Sequence, residues 1–133
     1  MQAILPRFLD ISGGASQSAG AVLQQLCVSK PLIVTDAFVM QAGLAAPALD
    51  SLSAAGIAYE VFADVLPDPT SDLVEQGLQA LKGGTFDRVI AIGGGSPIDT
   101  AKAMAVLHVQ GGHARDYKAP TVTNTPGLPI IAI

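Results

Sequence analysis

Residues 87–107, DRVIAIGGGSPIDTAKAMAVL, decide the fold of this chain. The segment 89–92 is a short β-branched run, which is long enough for a buried strand and too short for a helix. Three glycines follow it. Ser96 is a good N-cap residue, and Pro97 fits the first position of a helix, where no backbone donor is needed. The stretch therefore predicts a strand, a glycine turn and a helix that begins at Pro97.

The glycine turn predicts a site for an anion. Consecutive glycines lack the Cβ atoms that would keep a ligand from the main chain, and the free amide groups of a helix start carry the positive end of the helix dipole. Phosphate is the natural occupant of such a site, and a plain strand-to-helix turn is the alternative. We favour phosphate because three successive glycines cost backbone entropy that a simple turn does not require.

Apolar strand patterns alternate with helical patterns along the remaining sequence. We predict strands at 3–11, 31–35, 58–63, 89–92 and 128–133. Helices are predicted at 16–27, at 38–55 with a break near Gly43 and Pro47, from a cap at Thr70 or Ser71 to Gly83, and at 97–109. This alternation predicts an α/β fold, a Rossmann-like parallel sheet with helices on both faces. Since no helix follows the last strand, we expect the domain at 1–133 to be incomplete.

The composition limits the classes of partner. Half of the 133 residues are hydrophobic and only 14% are charged, so we expect an apolar surface that a second domain or another subunit covers, and we predict a homo-oligomer. A net charge of −4 with scattered Lys and Arg disfavours nucleic acid. No apolar run approaches the roughly 20 residues that span a bilayer, so no membrane partner is expected. A single cysteine and no signal peptide predict a cytoplasmic protein.

Three charged residues are candidates for ligand contacts. Asp36 ends a predicted strand, where a carboxylate either binds a ribose diol or caps the next helix, and the residues alone leave these alternatives even. Asp99 and Lys102 share one helix face, as a surface ion pair or as ligand contacts. Their apolar neighbours predict a helix that is buried nearly all round, which favours a ligand contact for Asp99 more than for Lys102. The two histidines lack metal-ligand spacing, so we assign neither metal ligands nor catalytic residues.

Residues 93–102, GGGSPIDTAK, resemble the GGGSxxDxAK signature of the iron-containing (group III) alcohol dehydrogenases. Other stretches agree with this family in the same order, namely LIVTD at 32–36, PDPT at 67–70, GGHARDY at 111–117 and LPIIAI at 128–133. The resemblance implies an N-terminal domain that binds NAD, followed by an all-helical domain that holds a divalent metal, Fe or Zn. It also implies hydride transfer between a small alcohol or aldehyde and the coenzyme. We expect only the first domain within these 133 residues, with the metal-binding domain absent.

The resemblance also implies roles for individual residues. The pyrophosphate of NAD is expected on Gly94, Gly95 and Ser96. Asp36 is expected to bind the adenosine ribose and to favour NAD over NADP, and Asp99 is expected near the nicotinamide. Asp68 is expected in a coenzyme-contacting loop, where the family more often has Asn and where a carboxylate can repel the coenzyme.

The expected activity of the chain alone is nucleotide binding at most. Two alternatives remain open. One is a nucleotide-binding or interaction module without turnover. The other is a fragment of an enzyme related to dehydroquinate synthase, although the continuation of the glycine triplet from Ser96 to Lys102 favours the dehydrogenases.

Overall fold

The computed structural model of the chain describes residues 8–117 and 125–133. Its strands are β1 (Pro31–Asp36), β2 (Glu60–Val65), β3 (Arg88–Ala91) and β4 (Ile130–Ala132). Its α-helices are α1 (Ala19–Gln25), α2 (Ala37–Gln41), α3 (Ala46–Ala54), α4 (Ser71–Lys82) and α5 (Gly95–Gln110), and single 3-10 turns lie at Ala15–Ser18 and Ala114–Tyr117. Strands and helices alternate along the chain as the sequence predicts.

The four described strands form one parallel sheet in the order β2-β1-β3-β4. Leu32 pairs with Val89 where β1 meets β3, and Ile90 pairs with Ile131 where β3 meets β4. The chain runs from β1 outward to β2 and then returns to the opposite side of β1 to form β3. The direction of winding therefore reverses between β1 and β3, which is the position where open α/β sheets bind ligands.

Helices cover both faces of the sheet, as predicted. Alternate residues of a strand point to opposite faces. Leu32, Val34 and Val89 pack with α4 and α5 in one core layer. Ile33 and Ile90 pack with α1 and α3 in the other layer. Because the central strands are buried on both faces, they read in the sequence as continuous apolar runs.

The predicted strand at 3–11 is not found where it can be checked. Residues 8–11 form no strand, and residues 1–7 lie outside the described part of the chain. The other four predicted strands are present within two residues of their predicted starts. The predicted helix at 16–27 begins as a 3-10 turn and becomes α-helical only at Ala19.

Asp87 fixes the amino edge of the sheet. Its carboxylate accepts hydrogen bonds from the backbone N–H groups of Ser29 (2.7 Å) and Lys30 (3.1 Å) and from the Ser29 hydroxyl (3.0 Å). Partial burial raises the pKa of Asp87, but the hydrogen bonds from Ser29 and Lys30 outweigh that effect and hold this pKa below its ordinary value. The carboxylate thus ties the entry of β1 to the entry of β3.

No helix within the described ranges combines the length and the apolar character that crossing a bilayer requires.

Candidate functional site

The carboxyl ends of β1 and β3 lie side by side and are joined by two hydrogen bonds beyond their last residue pair. The N–H of Ile92 donates to the carbonyl of Val34 (2.9 Å). The buried hydroxyl of Thr35 donates to the carbonyl of Ile92 (2.7 Å). Asp36 follows Thr35, and Gly93 follows Ile92. These bonds therefore bring the candidate carboxylate and the glycine turn together.

Asp36 caps helix α2, which is one of the two roles that the sequence leaves open. Its Oδ1 accepts a hydrogen bond from the N–H of Val39 (2.8 Å). Among the described residues, no hydrogen bond uses Oδ2, and the carboxylate is only half-buried. A Cβ added to Gly93 would lie 3.7 Å from Oδ2, so this oxygen faces the glycine turn. The cap leaves one carboxylate oxygen for a ligand.

The glycine turn has a closed part and an open part. Gly93 has a φ of +134° and lies against Pro97 and Val39, at 3.1 and 3.3 Å from an added Cβ. Gly94 and Gly95 are exposed, and a Cβ added to either would meet no atom within 4 Å. The turn therefore leaves free space along the main chain of its second and third glycines.

Helix α5 begins at Gly95, and its N-cap is Gly94, which makes no side-chain capping bond. The prediction that Ser96 is the N-cap and that the helix begins at Pro97 is therefore wrong. Ser96 and Pro97 occupy the second and third helical positions instead. Since the first turn of a helix has no intrahelical acceptors for its N–H groups and proline has no N–H, the backbone donors that this first turn directs at the open space are those of Gly95 and Ser96.

Asp99 and Lys102 form a surface ion pair with an Oδ1 to Nζ distance of 3.3 Å, and their side chains are 71% and 61% exposed. The prediction that α5 is buried nearly all round is wrong. This helix covers one face of the sheet, and its outward strip is exposed at Gly95, Asp99, Lys102 and Val109. The role of Asp99 as a ligand contact remains a prediction.

Asp68 lies apart from the glycine turn, in the loop that follows β2. It is exposed and has a φ of +52°. Two residues later, Thr70 caps α4 by accepting a hydrogen bond from the N–H of Leu73 (3.2 Å), as predicted. The structure thus unites Asp36 with Gly93, Gly94 and Gly95, whereas it places Asp68 one strand away at the same edge of the sheet.

An open pocket of about 410 Å³ lies at the carboxyl end of β2, and Ala37, the residue that follows Asp36, is part of its wall. Its lining includes Ala37, Asp64, Leu66 and Thr70. The sequence reasoning did not select Asp64 or Leu66. One signal for them was available, because residues at the carboxyl end of any strand of a parallel sheet reach the ligand-binding edge.

In the part of the chain that the structure describes, no group of three or more His, Cys, Asp or Glu residues could hold a metal ion. His108 lies in the last turns of α5, and its Nδ1 is buried without a hydrogen-bond partner. A lone imidazole offers too few ligands for a divalent metal. The donor set described here therefore does not fit the metal of the family that the sequence resembles.

Known proteins share both this sequence pattern and this fold. The iron-containing alcohol dehydrogenase family matches residues 6–133. The NAD-dependent methanol dehydrogenase of Bacillus methanolicus is 36% identical over 129 residues, which are 97% of this chain and 34% of that protein. The lactaldehyde reductase of Escherichia coli (strain K12) is 40% identical over 106 residues, which are 78% of this chain and 28% of that protein.

A solved structure has the same architecture. The NADH-dependent butanol dehydrogenase A of Thermotoga maritima superposes with a TM-score of 0.82 at 25% identity, over 90% of this chain and 30% of that one. The 133 residues thus span about a third of the length of the proteins that they match, at 34%, 28% and 30% in these three cases.

Proposed function

Since the chain belongs to the iron-containing alcohol dehydrogenase family, we propose that it is the coenzyme-binding part of an NAD-dependent alcohol dehydrogenase. One observation carries the proposal. The open main chain of the glycine turn and the carboxylate of Asp36 lie together at the carboxyl ends of β1 and β3, where the direction of winding of the sheet reverses. A dinucleotide needs an anion site beside a hydrogen-bond acceptor for a ribose, and this edge of the sheet offers both.

The pyrophosphate lies on the second and third glycines in this proposal. The N–H groups of Gly95 and Ser96 donate to its oxygens, and the dipole of the 16-residue helix α5 favours its negative charge. The space over Gly94 and Gly95 admits the phosphates close to the main chain, because no Cβ atom occupies it. No basic side chain is needed for this contact.

The adenosine ribose lies on Asp36. Its Oδ2 accepts from a ribose hydroxyl while Oδ1 keeps the cap of α2. The same carboxylate repels the 2′-phosphate of NADP, so Asp36 favours NAD. By family resemblance, Asp99 lies near the nicotinamide and Asp68 approaches the coenzyme from the loop after β2.

The reaction of the whole enzyme is a proposal for this chain, which spans about a third of its relatives. We propose hydride transfer between a small alcohol or aldehyde and the nicotinamide, within a homo-oligomer. A divalent metal, when bound, polarises the alcohol oxygen in such a reaction. We assign no residue of the described ranges to that metal, because they contain no suitable cluster of ligands.

Isothermal titration of NAD into the purified chain tests the proposal. We expect binding that weakens about tenfold in Asp36→Asn, since a hydrogen bond to a charged group contributes about 1.5–3 kcal/mol and Asn supplies part of it. Asn remains a good N-cap, so the fold is retained. Asp50→Asn is the matched control, because Asp50 is an exposed carboxylate on α3. Equal affinity of the wild-type chain and Asp36→Asn would remove Asp36 from the site.

A second candidate function is nucleotide binding without turnover, for which the open glycine turn and the carboxylate of Asp36 would be sufficient. Both candidates predict that the chain alone binds NAD without oxidising an alcohol, and one assay tests that shared expectation. The purified chain is incubated with NAD, a small alcohol and Fe²⁺ or Zn²⁺, and NADH is followed by its absorbance. NAD binding without NADH production is the expected result under both candidates, and metal-dependent NADH production would contradict the expectation that the chain alone has no turnover.

A further inference from the structure

The first glycine of the triplet differs from the other two in its surroundings. A Cβ on Gly93 would lie 3.1 Å from Cγ of Pro97, 3.3 Å from Cγ2 of Val39 and 3.7 Å from Oδ2 of Asp36. Gly94 and Gly95 face open space instead. Gly93 also has a φ of +134°, in the region that favours glycine. It therefore lies where the turn touches the start of α2.

The main chain of Gly93 is held from two sides. The strands are joined immediately before it by the hydrogen bonds from Ile92 to Val34 and from the Thr35 hydroxyl to Ile92. The N–H of Gly93 itself donates to the carbonyl of Ile133 (3.0 Å). Because these bonds fix the backbone, a side chain at position 93 cannot be accommodated by a shift of the turn alone.

The carboxylate of Asp36 lies at ordinary van der Waals distance from a side chain at position 93, but it is bonded to Val39, on which such a side chain would press. Its Oδ1 is committed to the N–H of Val39, and its Oδ2 faces Gly93. A methyl group at position 93 would press on Val39 and Pro97 at distances that few real Cβ atoms show. A shift of Val39 moves the amide to which Asp36 is bonded, and the carboxylate then turns with it.

We propose that Gly93 is a positioning residue for Asp36, and that it sets the direction of Oδ2 rather than contacting the phosphates. This inference rests on the proposed role of Asp36 as the ribose contact. It divides the triplet between two tasks. Gly94 and Gly95 leave room for the pyrophosphate, while Gly93 leaves room for Val39, whose N–H holds the carboxylate that recognises the ribose.

A double-mutant cycle in the purified chain tests this division. NAD affinity is measured by calorimetry for the wild-type chain, Gly93→Ala, Asp36→Asn and the double variant. Gly93→Ala is expected to weaken binding about tenfold in the wild-type background and less than about twofold in the Asp36→Asn background, since residues that act through one contact are not additive. An equal loss in both backgrounds would show a merely structural role and would overturn the inference.

Two further variants distinguish a change in NAD affinity at Gly93 from a general effect on folding. Gly56→Ala is the control for a methyl group added at a glycine of positive φ in open space, because Gly56 has a φ of +71° with no atom within 4 Å of an added Cβ, and the NAD affinity of this variant should be unchanged. Thr35→Val removes the hydroxyl bond to Ile92 at similar volume, and it should also weaken NAD binding only when Asp36 is present. If Gly93→Ala does not fold, the double-mutant cycle of Thr35→Val with Asp36→Asn is the test. Additive losses of NAD affinity in that cycle overturn the inference.

The remaining outcomes bear on the two proposals differently. No NAD binding by the wild-type chain would overturn both the proposed function and the role of Gly93. Unchanged binding in Asp36→Asn would overturn the role of Asp36 and with it that of Gly93, while coenzyme binding itself would stand. Additive losses would overturn the role of Gly93 alone.

Discussion

At the residue scale, Asp36 uses its two oxygens differently. Oδ1 caps α2 through Val39, and Oδ2 points to the glycine turn. The sequence could not separate capping from ligand binding, because both require a short carboxylate directly after a strand and before a helix. The structure establishes the cap. The ribose contact remains a prediction that only a binding measurement tests.

The cap itself predicts a change in stability. Asp36→Ala should lower the free energy of unfolding by about 1 kcal/mol, because the N–H of Val39 loses its acceptor, whereas Asp36→Asn should change it little. Urea denaturation followed by circular dichroism measures both. Asp50→Ala controls for the loss of an exposed carboxylate. An equal loss in the Ala and Asn variants would contradict a capping role.

Asp87 predicts a dependence of stability on pH. Its pKa is lower in the folded chain than its ordinary value of 3.8, so its contribution is fully present above that value. As the pH falls through the lowered pKa, the carboxylate is protonated, and its bonds to Ser29 and Lys30 weaken. Between pH 6 and pH 3 the wild-type chain should therefore lose more unfolding free energy than Asp87→Asn, as measured by urea titration. Parallel losses in the two proteins would contradict the assignment.

At the scale of elements, the start of α5 shows where local preference is insufficient. Ser96 is a better N-cap than glycine by sequence statistics, but a cap contributes only about 1 kcal/mol. The pairing of β3 with β1 fixes where the strand ends, and the glycines allow the chain to enter the helix immediately. The sequence therefore predicted the strand, turn and helix, but it placed the helix start two residues late.

Sequence patterns also do not predict which helices touch each other. The contact of Gly20 in α1 with α3 is an example. A Cβ there would overlap the carbonyl oxygen of Ser51 and lie 2.8 Å from its carbonyl carbon, on the backbone of α3. Gly20→Ala should therefore destabilise the chain by about 1–3 kcal/mol through overpacking, although alanine is the better helix former. Thermal unfolding measures the change.

Gly77→Ala in α4 is the matched control for this prediction. A Cβ at Gly77 would meet the flexible side chain of Met104, at 2.6 Å from Sδ, rather than a backbone. Met104 can adjust because methionine has several rotatable bonds. Gly77→Ala should thus cost less than Gly20→Ala. A larger cost at Gly77 would show that side chains in the layer of α4 and α5 cannot rearrange.

At the scale of the whole molecule, the alternation of strands and helices was sufficient to predict the parallel α/β sheet. The strand order β2-β1-β3-β4 was not predicted, because alternation does not specify on which side each strand adds. Yet this order is what brings Asp36 next to Gly93 and leaves Asp68 one strand away. The sequence thus supplied the candidate residues, and only the fold grouped them.

Coenzyme binding should stabilise the whole chain. A ligand that binds only the folded state at 100 times its Kd adds about 2.7 kcal/mol, which raises the Tm of a domain of this size by roughly 10 °C. We expect NAD to produce such a rise in differential scanning fluorimetry. If Asp36 binds the ribose as proposed, it repels a 2′-phosphate, and NADP at the same concentration should raise the Tm by less.

The difference between the two coenzymes distinguishes recognition by the fold from general anion binding at the helix start. If the backbone donors of Gly95 and Ser96 were the only contacts, NAD and NADP would raise the Tm equally. With Asp36 as the ribose contact, Asp36→Asn should reduce the difference between the two Tm shifts. The Tm shift with NAD should become smaller, and the Tm shift with NADP should become larger. A gap that persists unchanged in this variant would place the selectivity outside Asp36, and the cavity beside Asp64 would be the next part of the edge to examine.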